Sequence, residues 1–294
     1  MPRSRLCALV SDIHFDSHDG PTWSAFKLWV VENRPERVVF LGDFLDFPSL
    51  SRHPQGPDDE LFAVDQIKAF VREVQWLARY VQHIDVMEGN HDERWLKSLL
   101  GASPAFYRGI LGVSLHDQCV LHGLPESVRW HREGRHTPGL RVGQFWLRHG
   151  HRQARGPGAS GKYIAAAKMA LNGHRSEGFG HHHRAQLFCH TALGETAIVF
   201  SLPCMTGHHE YAGDANWQRG FGVLDLSPDG AYATPYLIIM DRGRFSWGGR
   251  YYDGRPKPKR KAPPPRPEKG PRGRSKGKPA PKAPPKARGQ RKAA

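Results

Sequence analysis

The sequence lacks paired cysteines and long apolar runs, and its last 40 residues are almost without acids and wholly without aromatic side chains. Its four cysteines, Cys7, Cys119, Cys189 and Cys204, form neither a CxxC pair nor a zinc-knuckle spacing. Each lies in or beside an apolar run, as in LCALV and LFCHT, so all four are expected to be reduced core thiols of a cytosolic protein. No stretch approaches the roughly 20 apolar residues that span a bilayer. The opening MPRSRLCALVSD reaches an acid after too short an apolar stretch for a signal-peptide core, and the expectation is a cytoplasmic chain.

Charge is segregated. Residues 255–294 hold 16 Lys or Arg and 11 prolines against one acid, Glu268, whereas residues 1–254 hold 27 basic and 27 acidic residues. The formal charge of +15 therefore belongs to the tail, and the remainder is near neutral. Residues 1–254 are read as a folded domain. Residues 255–294 are read as a disordered Pro/Lys/Arg-rich tail, because their apolar content cannot offset the entropy of ordering. Such a tail can attach without sequence preference to DNA or RNA by releasing counterions from the phosphate backbone. It has no ring on which a base could stack, and a merely solubilising extension is the alternative.

Short apolar runs alternate with helical periods in the first half. Leu6–Val10, Arg37–Leu41 and Ile84–Met87 predict buried strands. Thr22–Val31, with Trp23, Phe26, Trp29 and Val30 at 3–4 spacing, predicts one helix. The segment from Asp58 to about Val81, with Ile67, Phe70, Val71, Val74 and Leu77 in register, predicts another. This β-α-β-α-β order implies a parallel half-sheet with functional residues at the carboxyl ends of its strands. Further on, Gln118–Leu121 and Gln144–Arg148 suggest strands and Gly161–Leu171 an Ala-rich helix. Four more strands are expected at Ala185–His190, Thr196–Leu202, Gly222–Leu226 and Ala231–Ile239. Two sheets packed face to face with helices outside are the expected architecture.

Five polar clusters follow predicted strands or a glycine-rich run: Ser11-Asp12-Ile13-His14, Gly42-Asp43-Phe44-Leu45-Asp46, Gly89-Asn90-His91-Asp92, His149-Gly150 and Gly180-His181-His182-His183. Each supplies oxygen or imidazole donors where the chain leaves a strand, and the adjacent glycines permit a sharp turn. Sparse donors from separate strand ends suit a binuclear metal site. Without thiolates among them, a purely structural zinc site is disfavoured.

In this order, DxH, GDxxD, GNHD, HG and GHxH, the clusters resemble the calcineurin-like metallophosphoesterase superfamily from about Leu6 to His183. The closest resemblance is to compact bacterial and phage-type members, which carry the HG, short helix, GHxHR order seen from His149 to Arg184. The resemblance implies an α/β fold, a four-layer αββα sandwich of two mixed β-sheets flanked by helices. It also implies a phosphodiesterase or phosphomonoesterase holding two divalent metal ions, Mn²⁺ foremost, with Fe or Zn²⁺ as alternatives. Carried over, Asp12, His14, Asp43 and His183 would hold the first ion, and Asn90, His149 and His181 the second, with Asp43 bridging. His91 would assist the leaving group, and Asp46 would orient it and keep it charged. Paired cations of this kind lower the pKa of a shared water and neutralise phosphoryl charge. Protein Ser/Thr phosphatases continue their second motif with Arg-Gly and end their third in Glu. Here the sequence reads GDFLDFP and GNHDER, so the expected substrate is a nucleotide or nucleic acid ahead of a phosphoprotein. A nucleic-acid-binding or scaffold protein with a silent metal site is the reading from another class.

Ordinary roles compete at several positions. His122-Gly123 rivals His149-Gly150 for the fourth motif, and His149 is preferred because RHGHR follows a strand. His182 is expected to be exposed or behind the ligands, by the period of 2. His174, His190, His208 and His209 are expected to be ordinary histidines. Asp16, Asp19 and Asp92 are expected to be solvated or capping acids, and Trp23, Trp29 and Trp76 core residues. Arg148, Arg152, Arg155 and Lys162 are cations placed to hold substrate phosphate or simply to be solvated.

Overall fold

A computed structural model describes residues 5–15, 17–50, 62–102, 110, 112–132, 139–152, 164–166, 175–207 and 215–256. The chain divides into two units, Met1–Pro256 and Lys257–Ala294. The second, which holds all but two residues of the basic tail, lies outside the described residues.

β1 (Arg5–Val10), β2 (Arg37–Leu41), β3 (His83–Glu88) and β4 (Val128–Arg132) run parallel, and β10 (Arg219–Leu226) and β11 (Ala233–Met240) extend the sheet antiparallel beside β1. The second sheet has the order β5 (Leu140–Val142), β6 (Phe145–Arg148), β7 (Glu177–Phe179), β9 (Glu195–Ser201), β8 (Gln186–Ala192), with β6, β7 and β9 parallel. A hairpin of β12 (Arg244–Trp247) and β13 (Arg250–Asp253) turns through Gly248 and Gly249, both at positive φ, the conformation that a two-residue loop demands of such a pair.

The strand period assigns the layers. Ala8, Val10, Val38, Phe40, Ile84 and Val86 pack against helices α1 (Gly20–Asn33) and α2 (Ala63–Leu77), through Trp23, Phe26 and Trp29 on one and Ile67, Phe70 and Val74 on the other. Their alternates Cys7, Leu9, Val39, Leu41 and Met87 face Phe145, Leu147, Phe200 and Leu202 of the second sheet. Burial on both faces is why β1 and β2 are continuous apolar runs in the sequence. On the outer side of the second sheet, Ile164 and Ala165 of a helical segment cover Phe179, Ala197 and Val199. Helix, sheet, sheet and helix thus form four layers, the expected αββα class. No helix of the described residues is long and apolar enough to cross a membrane.

Local chemistry sets the ends of α1. Asp19 caps it, its carboxylate accepting from the Thr22 N–H at 2.8 Å, and Pro21 occupies the first turn, where a missing N–H costs nothing. The helix stops at Arg34 in the left-handed conformation, φ 46°, immediately before Pro35.

Several expectations are corrected. Gln118–Leu121 is not a strand but part of helix α4 (Leu115–Leu121), started by a capping box between Ser114 and Asp117. Cys189 is exposed on β8 rather than in the core, whereas Cys7, Cys119 and Cys204 are buried. Burial pushes the Cys7 and Cys204 thiols up to about 12. Trp76 is only partly buried, at the margin of the core that encloses Trp23 and Trp29. Of the segment 161–171, residues 164–166 are described and are helical.

β4 was not anticipated because VRWHR is polar. Its side chains are satisfied by acids of the neighbouring strand: Asp85, fully buried, lies 3.3 Å from Arg129 Nε, 2.8 Å from His131 Nε2 and 2.7 Å from Arg37 Nε. Glu88 accepts from Trp130 Nε1 at 2.8 Å and Arg132 Nε at 3.2 Å. Burial raises the Asp85 carboxyl, but the bonds to His131 and Arg37 outweigh it and bring it to about 2. Changing Asp85→Asn strips the counter-charge from a largely buried Arg37. Chemical denaturation at neutral pH should show a loss of about 3 kcal/mol. Glu88→Gln, whose partner Arg132 is half exposed, should lose clearly less, on the order of 1 kcal/mol.

Candidate metal centre

The five polar clusters leave the carboxyl ends of β1, β2, β3, β6 and β7, five of the parallel strands of the two sheets. The donor atoms gather there in three overlapping groups, Asp12, His14 and His183; His14, Asp43 and His91; Asp43, His149 and His181, each with its atoms within 4.8 Å of one another. The amide Asn90 joins them, its Oδ1 lying 3.1 Å from His149 Nε2. All seven residues named as ligands from the sequence, together with His91 and Asp46, are therefore brought to one place. His122 is not among them. It caps the C-terminus of α4.

The loops are shaped for this approach. Among the described residues nine non-glycine positions have positive φ, and five of them are Asp12, His14, Asp43, His181 and His183, so the strain of the left-handed region is concentrated on the donors. Gly89 leaves room for Asp43, and Gly180 for Ser11 and Asp12, since a Cβ at either position would overlap those atoms.

Hydrogen bonds then aim each group. Asp12 Oδ2 accepts from Ser11 Oγ at 2.6 Å and from the His181 N–H at 2.8 Å, while Oδ1 lies 3.1 Å from His183 Nε2. Asp43 Oδ1 accepts from the His91 N–H at 2.8 Å, and Oδ2 faces His149 Nε2 at 3.2 Å. His149 Nδ1 is 2.7 Å from the Leu41 carbonyl, which fixes a proton on that nitrogen and turns Nε2 to the cluster. Asp46 Oδ1 lies 2.5 Å from His91 Nδ1 and 3.1 Å from His14 Nδ1, so one carboxylate orients two rings.

Asp92 corrects its expected role. It is buried and accepts from the N–H groups of Asp43 and Gly89 at 2.7 Å and of Leu45 at 3.0 Å, tying the second and third motif loops together. Burial and the neighbouring Asp43 push its carboxyl above the usual range. Arg148 is paired with Glu177 at 3.0 Å and Arg152 with Glu93, so these two cations are held by protein carboxylates. His182 is half-buried beside Phe179, and His190 is exposed on β8. Asp16, Arg155, Lys162, His174, His208 and His209 lie outside the described residues.

The sequence reading overlooked Glu93, Arg94 and His151. Glu93 lies 3.4 Å from His151 Nε2, and the His151 ring stands 5.3 Å from that of His149. Arg94 reaches Asp46 and His91. The signal was the continuation of GNHD as ER, directly after the third motif, and His151 two positions after His149.

No family model matches the chain. The Gene 54 protein of Mycobacterium phage L5 is 26% identical over 271 residues, covering 85% of this chain and 99% of the phage protein. That of Mycobacterium phage D29 is 28% identical over 267 residues, with the same coverage. Among solved structures, the chain is similar to vacuolar protein sorting 29 from Cryptosporidium parvum, with TM-score 0.41, 12% identity and 85% and 95% coverage of the two chains. It is also similar to a predicted phosphoesterase from Streptococcus pneumoniae, with TM-score 0.36, 11% identity and 86% and 98% coverage. A third is Vps29 from Entamoeba histolytica complexed with zinc, with TM-score 0.40, 14% identity and 85% and 99% coverage.

The donor set fits divalent cations. Two buried carboxylates, Asp12 and Asp43, lie among imidazoles with their nitrogens turned inward, and the separations are compatible with joint coordination of small ions. Burial works against ionisation of Asp12 and Asp43, yet the neighbouring His183 and His149 hold both carboxyls below the ordinary range. Burial likewise opposes the charge on His149, but Asp43 and Asp12 push it up to about 10, while burial and His149 bring His181 down to about 3. Without metal, a proton on His149 is thus the local counter-charge.

The sign of the pH effect follows. Because His149 sits above its ordinary 6.5, its contribution to folding is complete below about 6.5 and is lost as pH rises through about 10. Metal-free protein should melt at falling temperature between pH 7 and pH 10, and metal-loaded protein should not. Mn²⁺ added at pH 7.5 in weak buffer should release about one proton from His149, and none in His149→Ala. Equal proton release by the two proteins would remove His149 from the ligand set.

Proposed function

We propose that the chain is a calcineurin-like metallophosphoesterase, a phosphoester hydrolase that uses two divalent metal ions and acts on a nucleotide or nucleic-acid substrate. The observation that carries this reading is the convergence of Asp12, His14 and His183 with Asp43, His149 and His181 at the ends of strands from two sheets. In this proposal Asp12, His14, Asp43 and His183 hold one ion, Asn90, His149 and His181 the other, and Asp43 is shared. Mn²⁺ is the first choice, with Fe or Zn²⁺ as alternatives. When bound, the two ions supply Lewis-acid stabilisation of phosphoryl charge and an activated water.

The chain's own groups do the rest. His91 Nδ1 is occupied by Asp46, so Nε2 is the nitrogen left to give a proton to the departing oxygen. Asp46 fixes the orientation of the ring. Gly89 and the tie from Asp92 keep Asn90 and His91 in register with Asp43. A scaffold with a silent metal site is the competing reading, and the presence of every expected ligand together with His91 weighs against it. The departures GDFLDFP and GNHDER weigh against a phosphoprotein phosphatase. The buried, unpaired thiols of Cys7, Cys119 and Cys204 are in keeping with the proposed cytoplasmic setting.

Chelator-treated protein is expected to be inactive and to regain hydrolysis of bis-p-nitrophenyl phosphate, p-nitrophenyl phosphate or nucleotides with Mn²⁺. His91→Ala should keep both ions and lose about 10²–10⁴-fold in turnover, more for nucleoside than for p-nitrophenolate leaving groups. A uniform loss would make His91 a phosphate-binding group instead. Full activity of metal-free protein would sink the reading altogether.

The basic tail motivates the nucleic-acid part of the proposal. Residues 255–294 carry sixteen Lys or Arg against one acid, Glu268, and Arg255 is paired with Asp253. Removing these residues should leave turnover of a small chromogenic ester unchanged while weakening DNA or RNA binding and flattening its dependence on salt. Unchanged affinity and salt slope would rule the tail out as a tether.

A further inference from the structure

Arg94 opens helix α3 (Arg94–Ala102), just beyond the Gly89–Asp92 loop. Its side chain is 23% exposed and folds back across that loop. Nη1 donates to the Asp46 carbonyl at 2.7 Å and lies 3.4 Å from Asp46 Oδ1, while Nη2 stands 3.2 Å from His91 Nε2. Other described cations near the motif loops are matched to other carboxylates: Arg148 to Glu177, and Arg152 and Lys97 to Glu93. Arg94 instead shares Asp46 with both His14 and His91. One carboxylate thus serves a guanidinium and two imidazoles, and one guanidinium arm is pinned by a carbonyl while the other faces the working nitrogen of His91.

Resting on the phosphoesterase reading, we infer that Arg94 contacts the phosphoryl group and selects phosphomonoesters over phosphodiesters. A phosphomonoester dianion has three non-bridging oxygens, and a diester has two, its further oxygen being esterified and uncharged. When bound, the two proposed ions would neutralise part of the phosphoryl charge. A further anionic oxygen beside His91 would need its own donor, and Arg94 Nη2 stands 3.2 Å from His91 Nε2. Arginine suits this place because it stays charged at any working pH and its planar fork can hold the Asp46 carbonyl and an oxyanion at once. A diester would set an uncharged ester oxygen and its substituent against the same guanidinium.

The test compares metal-loaded, full-length wild type with Arg94→Gln and Arg94→Lys in three ways: metal content, calorimetric binding of inorganic phosphate, and kcat/KM on p-nitrophenyl phosphate and bis-p-nitrophenyl phosphate. Arg94→Gln should keep its metal, bind phosphate about 10–100-fold more weakly and lose a similar factor on the monoester, as expected for a charge-assisted bond. Its loss on the diester should stay within about 3-fold, and Arg94→Lys should recover part of the monoester activity. Equal losses on the two esters, or unchanged phosphate affinity, would overturn the inference. So would loss of metal from both variants, which would make Arg94 a support of the cluster. Wild type that hydrolyses neither ester would instead defeat the phosphoesterase reading. The phosphate titration would then still decide whether Arg94 is a contact, since unchanged affinity in Arg94→Gln overturns it in that case too.

Discussion

The buried carboxylate of Asp43 is the constraint around which the rest of the site is arranged. It sits at the end of β2 with its backbone in the left-handed region, φ 51°, and both oxygens are engaged, one by the His91 N–H and one opposite His149. A carboxylate so placed has given up its hydration, and isolated it would protonate. It stays ionised because imidazoles from both sheets surround it. The same shortage of counter-charge that makes the cluster costly in the metal-free protein makes it receptive to cations.

That arrangement explains local features which otherwise look arbitrary. Gly42 and Gly89 stand where a side chain would collide with His149 or with Asp43 itself. Asp92, whose position directly after Asn90 and His91 suggests a solvated acid, is buried to satisfy three N–H groups from two loops. Strain is tolerated at five donors because each follows a strand locked into a sheet and buried between layers. Rigidity in the sheets is thus converted into placement of the loops.

Polar side chains around the cluster divide into two sets. Asp46 gathers His14, His91 and Arg94, whereas Glu93 gathers Lys97, His151 and Arg152. Glu93 and Arg94 are consecutive, and the turn into α3 sends them to different partners. A dipeptide next to the third motif therefore supplies the anchor of one set and the cation of the other. Burial opposes ionisation of both Asp46 and Glu93, but their hydrogen-bonded partners hold both well below the carboxylate range, Glu93 at about 2.

The sequence alone determined the parallel half-sheet, the two helices on it and the five motif loops, because burial writes period 2 and period 3.6 into a chain and strand ends are marked by glycine. It also marked the donors, since ligand chemistry allows few residue types. What it did not determine was whatever depends on partners distant in the chain. β4 is a strand because Asp85 and Glu88 of β3 bond Arg129, His131 and Arg132, more than 40 positions away. Gln118–Leu121 is helical because Ser114 and Asp117 start the turn before it. Cys189 is exposed because β8 lies at a sheet edge. The strand before RHGHR already favoured His149 over His122, but only the tertiary structure could show that Asp46 serves two histidines and an arginine, because direction in space is a property of packing that residue spacing does not carry.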